Sequence, residues 1–140
     1  MNIRRGKIQD LKEITAIEAE CFPASEAATE ESFKGRLTVY PDYFWILEED
    51  GKIVSFVNGM VTDSPNLSDE MYENPHLHNP EGKWQMIFGI NTLPDYRKRG
   101  YAEKLLNEMI KDAKDKKRKG VVLTCKDALV HYYSKFGFKN

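Results

Sequence analysis

Residues 97–102 read RKRGYA: three cationic side chains, a glycine, and a small residue where an amphipathic pattern begins. That arrangement suits an anion. The first N–H groups of a helix have no acceptor within the helix, and the helix dipole adds partial positive charge at the same end. Together they favour phosphate. At Gly100 no Cβ would stand between main chain and ligand. Ala102 keeps the first turn slim, and Arg97, Lys98 and Arg99 add mobile charge. A basic helix start on the surface fits the same six residues. Two other phosphate loops are excluded by spelling. No Gly-x-x-x-x-Gly-Lys-Ser/Thr occurs, and the three spaced glycines of a dinucleotide turn are missing.

Other reactive residue types are sparse. Cys21 and Cys125 lie far apart with no CxxC or His/Cys cluster beside them, so two reduced, buried thiols and no metal are expected. His76 and His78 fall in a polar segment and read as solvated. The basic run at residues 111–120 is interrupted by Asp112 and Asp115. Lysines near a helix C-terminus complement its dipole, so the run reads as a solvated helix end and not as a nucleic-acid site.

The elements that must position the glycine turn follow from periodicity. Residues 2–8 suggest a short strand. Asp10 with Glu13 has the spacing of a capping box, and Leu11, Ile14, Ile17 and Cys21 continue at helical intervals to about Glu20. A second helix restarts after Pro23, capped by Thr29, with Phe33 and Leu37 on one face. Residues 43–48 and 52–62 flank EDGK and read as a hairpin. A long polar loop follows, with a short helix at residues 69–72. Residues 83–93 form an apolar strand that runs into the glycine turn. A helix over residues 100–117 carries an apolar stripe of Ala102, Leu105, Leu106, Met109, Ile110 and Ala113, and Gly120 ends it. VVLTC then reads as a fully buried strand. A last short helix is opened by Asp127 and closed by Gly137-Phe138. The order is β-α-α-β-β-β-α-β-α, an α/β architecture in one domain, residues 1–140.

Composition agrees with a soluble globular chain. Of 140 residues, 41% are apolar and 31% charged, which is enough for a core without metals or disulfides. A formal net charge of −1 argues against an obligate nucleic-acid binder. The N-terminus lacks the apolar stretch of a signal peptide, and no run approaches membrane-spanning length. A cytoplasmic location without membrane attachment is the expectation.

Arg-x-x-Gly-x-Ala, placed after a strand and before a helix, resembles the acyl-coenzyme A signature of the GNAT family of N-acetyltransferases. The closing segment VVLTCKDALVHYYSKFGF matches that family's strand, tyrosine-bearing helix and Gly-Phe, so the resemblance covers nearly the whole chain. It implies the GNAT fold, a mixed central sheet flanked by helices. CFPASEAATEE, FVNG, HNPEG and LTCKDALVHYYSKFGF further resemble the arylalkylamine (serotonin) N-acetyltransferase branch.

The resemblance implies acetyl-coenzyme A as cosubstrate and a small primary amine, in this branch an arylalkylamine, as acceptor. Attack is direct, within a ternary complex. Backbone amides of the turn, from Arg97 through Tyr101 and Ala102, would hold the pyrophosphate. Residues 90–92 (Ile90, Asn91, Thr92) would pair with the pantetheine arm on a strand splayed from its neighbour, with the Ile90 N–H as oxyanion donor. Tyr133 matches the tyrosine that protonates the leaving thiolate, with Tyr132 second to it. The pair of histidines that vertebrate members carry falls here on Met86 and Phe88, so that proton path is absent. Glu26 is the replacement base that the resemblance suggests. Phe22, Pro23 and Phe88 are the expected acceptor-pocket residues, with Tyr43, Phe44 and Trp84 as pocket wall or core. The missing histidines also fit a coenzyme A-binding module without turnover. The family continues with a further strand after Gly-Phe, where this sequence ends at Asn140. A short member, or a partner chain covering the sheet edge as in a homodimer, is expected.

Overall fold

Three antiparallel strands begin the sheet: β1 (Asn2–Arg5), β2 (Phe44–Glu49) and β3 (Lys52–Asn58). The turn between β2 and β3 has positive φ at Asp50 (51°) and Gly51 (79°), the type I′ geometry whose twist suits a hairpin. The computed structural model describes residues 1–124 and 129–139. Cys125, the Asp127 cap of the last helix and Asn140 lie outside the described residues.

The remainder of the sheet is organised by a kink. β3 and β4 (Val61–Thr62) are one run of chain broken at Gly59-Met60; β5 (Trp84–Met86) and β6 (Gly89–Thr92) are another, broken at Ile87-Phe88. The two breaks face each other. The Phe88 N–H donates to the Asn58 carbonyl at 2.7 Å, and the Met86 N–H to the Met60 carbonyl at 2.8 Å. Gly59 lies between them, and any Cβ there would collide with the Met86 carbonyl. β6 pairs antiparallel with β3, and β5 pairs antiparallel with β4. β7 (Gly120–Val122) runs parallel to β5. Its last bond is Ile87 N–H to Val122 carbonyl, 2.8 Å; among the described residues it does not pair with β6. The sheet is therefore mixed, and it splits beside β6.

Five α-helices accompany it among the described residues: α1 (Leu11–Cys21), α2 (Glu30–Val39), α3 (Asp69–Glu73), α4 (Tyr101–Asp115) and α5 (Val130–Ser134). β2 and β3 are buried at successive positions, so both sheet faces are covered. The Phe33 ring of α2 meets Phe44 and Phe56 edge-on at 6.2 and 6.0 Å. α4 lies across β2, β3, β6 and β7 and buries Leu105, Leu106 and Met109 completely. Each such leucine contributes about 2 kcal/mol of burial.

The observed order is β-α-α-β-β-β-α-β-β-α-β-α among the described residues. It departs from the sequence reading because the facing breaks divide two expected strands, 52–62 and 83–93, and because the short helix of the polar loop counts as an element, α3. Three local expectations are also corrected. Asp10 does not cap α1: its carboxylate is held by both Arg4 Nη atoms at 2.8 Å and by the Lys7 N–H at 3.0 Å. Glu13 instead accepts from the Ile53 N–H at 2.8 Å. α4 ends at Asp115, where Lys117 takes the left-handed position (φ 58°), and Gly120 belongs to β7. β7 is half-buried, since β5 is its only partner among the described residues. Thr29 does cap α2, accepting from the Ser32 N–H at 3.1 Å.

Candidate functional site

The turn between β6 and α4 holds two residues in the left-handed region, Lys98 (φ 65°) and Gly100 (φ 78°). A Cβ at Gly100 would meet nothing within 4 Å, so the glycine serves conformation and open access. The first intrahelical bond is Lys104 N–H to Gly100 carbonyl, 3.1 Å. The N–H groups of Tyr101, Ala102 and Glu103 precede it and lack acceptors in the helix. All three residues line a cleft of about 630 Å³ whose wall also includes Arg97, Lys98 and Gly100. Arg97 Nε donates to the Thr92 carbonyl at 3.0 Å, which ties the turn to its strand. Arg99 turns aside: its guanidinium donates to the Asp95 carbonyl at 3.2 Å and stacks on Tyr96 at 4.9 Å. The Tyr101 hydroxyl donates to Glu49 at 2.7 Å, leaving its backbone for the cleft.

Alternation along β6 sorts its backbone groups. The Leu93 N–H donates to Val54, and Asn91 stands opposite Phe56, so Asn91 belongs to the β3 ladder. Ile90 and Thr92 direct theirs to the edge that β7 leaves open. The Thr92 carbonyl is taken by Arg97 and by the Cys21 thiol at 3.4 Å. Cys21 is half-buried, and burial pushes its thiol pKa up. Asn91 points inward, its side chain donating to Glu18 Oε1 at 2.7 Å.

From this edge the cleft continues into two further chambers of about 440 and 700 Å³, and Phe22 walls all three. The middle chamber brings together Pro23, Glu26, Phe88, Ile90 and Tyr133. Glu26 is exposed on a turn whose N–H groups at Glu26 and Ala27 both donate to the Pro23 carbonyl at 2.9 Å. Tyr133 is half-buried, with Tyr132 edge-on at 5.1 Å and Phe138 at 6.2 Å. Tyr132 faces the first cleft instead.

The largest chamber contains groups that the sequence reading missed. Glu18 and Arg36 line it and are 7% and 3% exposed. Glu18 Oε2 accepts from the Ala28 N–H at 2.9 Å. Arg36 donates to Asn58 Oδ1 and to the Tyr72 carbonyl, both at 3.0 Å, while its Nε has no acceptor among the described residues. Its plane lies 5.0 Å from the Phe88 ring and 6.0 Å from that of Tyr72. Burial lowers its pKa from the usual arginine value. A buried cation inside a helix of polar spelling leaves no local signal. Only the approach of Asn58, Tyr72 and Phe88 from other elements encloses it.

Tyr43 and Phe44 are core, and Trp84 is half-buried against Gly120. His78 is not solvated. It accepts from the Val61 N–H at 3.1 Å and lies between the rings of Tyr40 (4.8 Å) and Tyr43 (4.7 Å). Burial, helped by Arg118, pulls its pKa down to about 4. Among the described residues no group of three or more His, Cys, Asp or Glu could hold a metal ion. No described helix is long and apolar enough to cross a membrane.

Comparison with known proteins accords with this geometry. Residues 11–138 match the model of the acetyltransferase (GNAT) family. Serotonin N-acetyltransferase of Mesocricetus auratus is 27% identical over 135 residues, which cover 94% of this chain and 64% of that protein. The chain thus spans less than two thirds of that relative's length. Among solved structures, the loading GNATL domain of CurA from Lyngbya majuscula superposes with a TM-score of 0.80 at 25% identity, covering 99% of this chain and 74% of that one. A GNAT-like decarboxylase, GphF, in complex with isobutyryl-CoA gives 0.78 at 25% identity, covering 99% and 73%.

Proposed function

The chain belongs to the GNAT acetyltransferase family, and from that premise we propose that it is an N-acetyltransferase that moves acetyl from acetyl-coenzyme A to a small primary amine. One observation carries the reading: the chamber beside the open edge of β6 holds Tyr133, Glu26 and Ile90 together, next to the turn at Gly100.

The pyrophosphate meets the N–H groups ahead of Lys104, with Arg97 and Lys98 beside them. The pantetheine amides add to the open edge of β6 at Ile90 as a further strand would. The thioester carbonyl then lies by the Ile90 N–H, which stabilises the oxyanion of the tetrahedral intermediate. Glu26, exposed at the rim, takes one proton from the amine and passes it to water. The nitrogen forms its bond to the carbonyl carbon, and the C–S bond breaks. Tyr133 gives its proton to the leaving thiolate and regains one from the acylated nitrogen. The products are amide and free thiol, with no covalent enzyme intermediate.

The test is release of coenzyme A thiol from acetyl-coenzyme A over a panel of arylalkylamines, polyamines, amino acids and amino sugars. Amine-dependent release is expected. Binding of acetyl-coenzyme A with no release on any amine would favour a coenzyme A-binding module without turnover.

A further inference from the structure

The largest chamber is more polar than a pocket for a plain arylalkylamine needs to be. Arg36 is 3% exposed and forms no ion pair among the described residues. Its direct contacts are a neutral amide, a carbonyl and aromatic faces, and Glu18 acts on it only through space. Enclosing a cation with no anion in direct contact is unfavourable, and Glu18 offsets only part of the cost from a distance. A ligand whose carboxylate reaches the guanidinium directly lowers that cost further.

The second charge in the chamber is placed differently. Glu18 Oε1 lies 3.9 Å from the position a Gly89 Cβ would occupy, and Asn58 Nδ2 lies 3.7 Å from the same point. Gly89 precedes Ile90, so Glu18 stands where the acceptor nitrogen must approach the thioester. Arg36 is reached through Asn58, on the side of Tyr72 and Phe88. A bound molecule therefore meets a carboxylate near the reaction centre and a guanidinium further in. Gly89 contributes no side chain between them.

We propose that this chamber takes an acceptor that carries its own carboxylate, an amino acid whose acid group docks on Arg36 while Glu18 receives its ammonium. The assignment rests on the N-acetyltransferase reading and names the substrate class of the same site. Guanidinium and carboxylate match in shape as well as charge, so Arg36 selects for the acid group and Glu18 guides the amine. Tyr72 and Phe88, with ring centroids 4.5 Å apart, form the apolar wall against which the acceptor's side chain lies. The proton transfers stay with Glu26 and Tyr133.

The same charge preference would serve a carboxylate carried on the acyl group, so the experiment has two arms. In the first, thiol release from acetyl-coenzyme A is measured with paired acceptors: phenylalanine against phenethylamine and phenylalaninamide, and methionine against 3-(methylthio)propylamine. The amino acid of each pair is expected to have a kcat/KM at least about tenfold higher, through KM. Arg36→Leu and Arg36→Lys should each bring that ratio toward one. In the second arm, malonyl-coenzyme A replaces acetyl-coenzyme A. If it binds more tightly than acetyl-coenzyme A, and that advantage is lost in Arg36→Lys, the carboxylate belongs to the acyl group and the acceptor assignment is overturned. Preference for the carboxylate-free member of each pair by the wild-type protein also overturns it. That comparison needs no variant, so misfolding of Arg36→Leu leaves the test intact. If acetyl-coenzyme A itself does not bind in calorimetry, the acetyltransferase reading fails instead.

Discussion

Asn91 Nδ2 donates to Glu18 Oε1 across 2.7 Å, joining the middle of β6 to the last turns of α1. The bond connects two functions in one contact. It fixes the strand whose open edge faces the cleft, and it holds the buried carboxylate beside Gly89. Glu18 Oε2 is held in turn by the Ala28 N–H. The segment that carries Phe22 and Glu26 is therefore anchored to the same group.

Tyr133→Phe removes the proposed proton donor but keeps the ring that packs on Tyr132 and Phe138. We expect kcat to fall about 100-fold with little change in acetyl-coenzyme A affinity. Steady-state kinetics with calorimetric titration checks both quantities. An unchanged kcat would remove Tyr133 from the mechanism.

Glu26→Gln should lower kcat on any accepted amine by about 100-fold while leaving the melting temperature near that of the wild type, because Glu26 is an exposed turn residue. Parallel rate and thermal-shift measurements separate this from loss of structure. Retained turnover would assign proton removal to water.

Gly100→Ala places a Cβ at φ 78°, a conformation that costs an L residue about 1–2 kcal/mol, in open space where nothing compensates. Relaxation of the turn would disturb the N–H groups ahead of Lys104. The expected result is weaker coenzyme A binding by about tenfold or more, read by calorimetry, with a lower melting temperature.

His78 makes stability depend on acidity. Its folded pKa of about 4 lies below the ordinary 6.5, so the unfolded chain binds the proton first as pH falls. The stabilisation is complete above pH 6.5 and declines through the window down to about 4. Urea unfolding at several pH values should show a smaller decline for His78→Gln than for the wild type, although its stability at neutral pH is lower. Equal slopes would mean that His78 does not titrate in this window.

Some of this was written locally in the chain. The turn at Gly100 could be read because a glycine set among cations, just ahead of an amphipathic pattern, leaves the main chain open to an anion. Thr29 and the Asp50-Gly51 turn were legible for similar reasons. Asp10 was not: its spacing to Glu13 is that of a capping box, but Arg4 from β1 competes for the carboxylate with two hydrogen bonds. The kink at Gly59 was hidden as well, since its cause is a carbonyl at Met86 far along the sequence. His78 and Arg36 sit in segments of polar spelling and are enclosed only when distant aromatic rings close over them. Side chains whose environment is set by other segments carry little local signature.

The two ends of the cleft draw most of their polar side chains from different stretches of chain. Glu18, Arg36, Asn58 and Tyr72 of the largest chamber precede the kink at Ile87-Phe88; Phe88, Gly89 and Thr124 join them from the kink onward, and the turn at Gly100 and Tyr133 follow it. Mutational drift can therefore act on them separately. Under the proposed function, substitutions among those first four residues would retune which molecule is modified while the turn at Gly100 stays constant. A lineage built on this plan can diversify its acceptors one side chain at a time, with Gly59 as a position where almost no replacement survives.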